Sequence, residues 1–77
     1  MVAFVNIIGW PSGAEIFIDE KLIGELPIYN YMLKKGKYRV RAEKEGYVPE
    51  FREEFVVWPT DRKKVILFQL KKIGEVL

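Results

Sequence analysis

Apolar residues in this chain recur at every second position, the period that places successive side chains on opposite faces of an extended strand. The alternation is cleanest over 37–43, where Tyr38, Val40 and Ala42 interleave with Lys37, Arg39, Arg41 and Glu43. Residues 2–8 set Ala3, Val5 and Ile7 against Phe4, Asn6 and Ile8, and 14–18 set Ala14, Ile16 and Ile18 inward against Glu15 and Phe17. Residues 22–25 form a short return strand that stops at Pro27, because proline cannot donate to a ladder. Residues 28–33 are extended with both parities partly apolar, so their facing stays open. Residues 51–58 place Phe51, Phe55 and Val57 on one parity and leave Val56 on the outward one. Residues 64–70 set Ile66, Phe68 and Leu70 against Val65, Leu67 and Gln69.

Turn residues separate these runs at short intervals. Gly9-Trp10-Pro11-Ser12-Gly13 is a turn or crossover, Asp19-Glu20-Lys21 a hairpin tip and Lys34-Lys35-Gly36 a further turn. Gly46 and Pro49 bracket a loop around Tyr47, and Trp58-Pro59-Thr60-Asp61 closes the strand before the last. No window carries an apolar stripe long enough for a helix. The prediction is all-β: a small antiparallel β-sandwich of about seven short strands, with 1–77 forming one domain.

Composition then limits the chemistry. A chain of 77 residues has little room for both a core and a deep catalytic cleft. It has neither cysteine nor histidine, which removes disulfides, thiolate nucleophiles, and the commonest general base and zinc ligand. The net charge of +2 is spread over interleaved signs rather than gathered into one basic face. Serine, threonine and glutamine occur once each while Glu and Lys occur nine times each, a bias that suits a thermophilic source. The apolar opening MVAFVNIIGW has no basic leader region and reads as a first strand; no segment is long enough to insert into a membrane. The compartment is thus the cytoplasm, or the cell envelope or exterior if the domain is cut from a longer exported chain.

The acidic pairs do not assemble an acid/base site. Glu53 and Glu54 are adjacent on a strand and point to opposite faces, with Glu54 expected in solvent. Asp19 and Glu20 sit on an open hairpin tip, too few oxygens for calcium. Ser12 has no histidine to activate it. Lys34-Lys35-Gly36-Lys37 lacks the spacing of a phosphate loop and the helix that follows one. The expectation is a non-enzymatic protein without cofactor or metal.

The order of the turn residues carries a resemblance. Pro11-Ser12-Gly13-Ala14, then Ile16-Phe17-Ile18-Asp19, then Gly24 and Pro27, resembles the PEGA domain, and a second block matches through Gly36-Lys37-Tyr38-Arg39-Val40 and Lys44-Glu45-Gly46-Tyr47. The chain departs from the pattern at Glu20, where glycine is usual, at Leu26, where a hydroxyl residue is usual, and at Gly9, where serine is common. The resemblance implies a β-module of bacterial and archaeal cell-envelope and surface-layer-like proteins, with no known catalytic residue. On this reading Pro11, Gly13, Ala14, Asp19, Gly24, Pro27, Gly36, Tyr38, Gly46 and Tyr47 determine the fold.

The residues that escape the inward parity are the candidates for function. Trp10, Phe17, Val56, Trp58, Val65 and Leu67 lie outward or in turns, with Phe4 and Ile8 beside them. Outward apolar residues on several strands exceed an ordinary scatter of exposed hydrophobes and point to a contact face. The partners expected are a neighbouring domain, a second copy, or cell-wall glycan stacked on flat rings. A small β-barrel binding single-stranded nucleic acid is the alternative, weakened because acidic residues interrupt every basic stretch.

Overall fold

The computed structural model describes residues 2–57 and 62–76; Trp58 and the turn expected at 58–61 lie outside the described residues. The strands are β1 (Val2–Trp10), β2 (Glu15–Ile18), β3 (Lys21–Glu25), β4 (Ile28–Lys34), β5 (Gly36–Glu43), β6 (Glu50–Val56) and β7 (Lys63–Gln69), followed by a 3₁₀ turn over Ile73–Val76. They form two sheets, a three-stranded one in the order β4-β1-β7 and a four-stranded one in the order β3-β2-β5-β6. The sheets share one buried cluster. Ala3, Val5, Ile7, Leu33, Ile66 and Phe68 enter it from the first sheet, and Ile16, Ile18, Val40, Ala42 and Val56 from the second. The expected β-sandwich is therefore present, and the inward sets read from β1, β2, β5 and β7 all point into its core.

Two features were not visible in the alternation. The first is that β1 and β7 run parallel, from Phe4 beside Lys63 to Trp10 beside Gln69, while the other four pairs are antiparallel. Gly9 permits this approach: its backbone has φ 144°, and a Cβ there would stand 1.8 Å from the Phe68 carbonyl oxygen. The extended chain at Gly9 and Trp10 also lengthens β1 beyond the predicted 2–8, and Leu70 N–H then donates to the Trp10 carbonyl at 2.9 Å.

The second is that β6 is turned over. Val56, expected outward, is buried in the core, while Phe51 and Phe55 are 61% and 56% exposed and Val57 is exposed beyond the strand. The core-side parity of β6 carries Glu50, Arg52 and Glu54 instead. β6 is the edge of its sheet, so these side chains lie at the open rim of the sandwich. The Arg52 guanidinium lies 4.7 Å from the Phe68 ring centroid, and Glu54, expected in solvent, pairs with Lys64 of β7 at 3.4 Å. Inward-pointing charge on an edge strand also discourages pairing with another chain.

The motif residues close the connections. Gly13, at φ 85°, turns the chain from one sheet to the other; its N–H donates to the Leu26 carbonyl at 3.0 Å, and Leu26 N–H returns a bond to Ala14 at 2.8 Å. Leu26 itself is buried, which accounts for an apolar side chain at this position. Asp19 and Glu20 both have positive φ, 49° and 69°, as a two-residue hairpin turn requires. The Asp19 carboxylate accepts from Arg39 N–H at 2.9 Å, and Asp19 N–H donates to the Arg39 carbonyl at 2.8 Å, so the tip is tied to β5. Tyr38 is half-buried and its hydroxyl donates to the Lys34 carbonyl at 2.7 Å.

Candidate functional site

The outer surface of the three-stranded sheet follows directly from strands that are apolar on both parities. With Ala3, Val5 and Ile7 in the core, β1 must present Phe4, Asn6 and Ile8 on the other side. With Ile66 and Phe68 in the core, β7 presents Val65 and Leu67. The register brings them into rows: Phe4 lies between Met32 of β4 and Lys63 of β7, Asn6 is beside Val65, and Ile8 is beside Leu67. Phe4, Met32, Val65 and Leu67 are 43%, 61%, 61% and 55% exposed. Four large apolar side chains so exposed on adjacent strands form a continuous patch rather than scattered residues. A bulge at Asn30, whose N–H donates to Asn6 Oδ1 at 2.8 Å, keeps Ile28 and Tyr31 both packed against the core and completes the far side of the sheet.

The structure gathers some of the predicted contact residues and separates others. Val65 and Leu67 stand together on β7, along one edge of this face. Trp10 is half exposed at the end of β1, its ring edge-on to Tyr47 with centroids 5.4 Å apart. Phe17 lies on the opposite outer surface, half-buried beneath the Arg41 guanidinium at 4.0 Å. Val56 is in the core and is removed from the face. Alternation alone misplaced it because the rule takes the more apolar parity as the inner one, and on β6 the charged parity faces in. Met32 was missed because β4 offers no clear parity; its pairing with Phe4 is what identifies it.

The outer surface of the four-stranded sheet is organised differently. Phe17, Phe51 and Phe55 are interleaved with charge. Arg41 pairs with Glu43 and, at 3.0 Å, with Glu20, while Lys37 pairs with Glu53 at 2.7 Å. The hydrogen bond and charge of Lys37, with a smaller contribution from Arg39, hold the Glu53 carboxyl below its ordinary range against a weak opposing effect of burial. These are ion pairs at or near the solvated surface, Lys37 with one acid and Arg41 with two. No group of three or more metal-ligating side chains occurs among the described residues, and no helix among them is long and apolar enough to cross a membrane.

Two sheets packed on one core, joined by turns at Gly13 and at Asp19-Glu20, define a small β-sandwich module. The PEGA domain family model matches residues 5–67, most of the chain, and the chain belongs to that family. PEGA domains are non-enzymatic modules that occur in envelope or exported proteins. No curated protein and no solved structure gives a significant match to the chain.

Proposed function

We propose that this chain is a single non-catalytic interaction module of an envelope-associated protein, docking through the outer face of its three-stranded sheet. The observation that carries the reading is the row of exposed Phe4, Met32, Val65 and Leu67 on adjacent strands. Water in contact with such a patch is released on docking, at about 25 cal/mol for each Å² of apolar surface covered. The partners within reach are a neighbouring domain, a second copy or cell-wall glycan, the last through the half-exposed Trp10 at the end of the face. The weight of Lys and Glu over amide and hydroxyl residues supports a thermophilic source.

The test is retention in the envelope fraction under mild extraction. Leu67→Glu is expected to release the protein, whereas Phe51→Glu, on the other outer surface, is expected to leave it bound. Both positions are exposed, so both variants keep the fold, which circular dichroism checks. Equal retention of the two variants would remove the three-stranded sheet from the contact.

A further inference from the structure

The charge around the exposed face narrows what can cover it, an inference that rests on the docking role proposed above. β1, β4 and β7 contain no Asp or Glu, while the four-stranded sheet carries Glu15, Glu25, Glu43, Glu50, Glu53 and Glu54. The charges that stand on the outer face are Lys34, paired in register with Val2, and Lys63, paired with Phe4. Both are therefore at the same end of β1. Among the described residues no ion pair joins either lysine to a carboxylate. Among the described residues the face is an apolar stripe with a cationic end and no anion.

We infer that the occupant is a flat layer of another protein domain, a sheet or helix face that is apolar at its centre and carries Asp or Glu where it meets Lys34 and Lys63. A second copy offering the same three strands brings no carboxylate from them, and its own lysines add like charge. The side-chain pattern argues for a packed layer as well. β1 and β7 carry apolar side chains on both parities, the pattern of strands covered on both sides rather than of a sheet with one solvated face. The three-stranded sheet then becomes the middle of three layers, its outer side chains interdigitating with a partner about 10 Å away. The exposed side chains spring from the strands themselves at sheet spacing, which suits a pleated protein surface better than a lipid boundary. The lysines contribute choice of partner and orientation more than affinity, since rim charges act chiefly through steering and through the cost of a mismatch.

The experiment places a benzophenone amino acid at Leu67 of the full-length protein in the cells that make it, with the same group at Glu53 as a control on the other outer surface. Crosslinked peptides from Leu67 are expected to come from another protein, with an apolar centre and Asp or Glu at the rim. Adding Lys34→Glu and Lys63→Glu is expected to lower the crosslink yield about tenfold, while Lys34→Arg with Lys63→Arg keeps it. A yield indifferent to the charge reversal overturns the inference. So do crosslinks to lipid, or to a second copy as a dimer that light scattering detects and Leu67→Glu dissolves; in each case docking by this face stands. No crosslinking from Leu67 above that from Glu53 fails the docking role itself, and the inference with it.

Discussion

The two outer surfaces of the sandwich both expose large hydrophobic side chains and make opposite provisions for them. On the four-stranded sheet Phe17 is capped by Arg41, and Glu53 and Lys37 stand among Phe51 and Phe55. On the three-stranded sheet Phe4, Met32, Val65 and Leu67 stand exposed among the described residues, and the strands supply no acid at all. The contrast teaches that exposed aromatic residues do not by themselves mark a contact. On the four-stranded sheet the rings stand among paired charges; on the face proposed for docking the charges are two lysines at one end, without an ion pair among the described residues.

The largest change expected is from removing the device that builds the bare face. Gly9→Ala drives a methyl into the Phe68 carbonyl and strains a backbone at positive φ, so β7 can no longer lie against β1. A loss of roughly 3 to 5 kcal/mol is expected in chemical denaturation, enough to lose the fold if the domain has a typical margin. A variant as stable as the original would mean that the parallel pair does not depend on this glycine.

Making the covered surface resemble the bare one should have a smaller effect. Arg41→Ala uncovers Phe17 and breaks the pairs with Glu20 and Glu43; with the Arg41 side chain largely buried, a loss of about 1 to 2 kcal/mol is expected in thermal or denaturant unfolding. Arg41→Lys keeps the charge but not the planar stack, and should fall between the two. If lysine restores full stability, stacking on Phe17 contributes nothing. Glu20→Gly acts in the other direction. It relieves a non-glycine residue at φ 69° but loses an exposed pair with Arg41, for a net gain of up to about 1 kcal/mol in the same measurement. A loss would mean that the pair outweighs the strain.

The smallest effect is electrostatic and should vanish with salt. Glu53 is held below its ordinary range chiefly by Lys37, so its folded value is lower than its unfolded one. Its contribution is therefore present above the ordinary carboxylate range and is lost as pH falls through the lowered value. NMR titration of Glu53 should move upward in Lys37→Ala and in molar salt. A titration that stays put in both would assign the shift to something other than this pair.

The core sets of β1, β2, β5 and β7 were legible because each strand carries an unbroken alternate set of apolar side chains, and that set is the one the shared core buries. The motif from Pro11 to Ala14, with Asp19 and Gly46-Tyr47, was legible because turn chemistry is local. Val65 and Leu67 could be assigned outward for the same reason. β6 was not legible: at the rim of a sandwich an inward side chain can reach solvent or a partner on the next sheet, as Arg52 and Glu54 do, so the charged parity can face in. Met32 was hidden because a bulge at Asn30 breaks the parity of β4.

The chain by itself thus determined the all-β class, the places where it turns and most of what it buries, since those depend on neighbours two or three residues apart. Only the tertiary structure decided that β7 runs parallel beside β1, that Val56 rather than Phe51 enters the core, and that Phe4, Met32, Val65 and Leu67 meet on one surface. Each of those outcomes depends on which distant strand lies alongside. Strand pairing is a choice among long-range partners that alternation within a single strand cannot express.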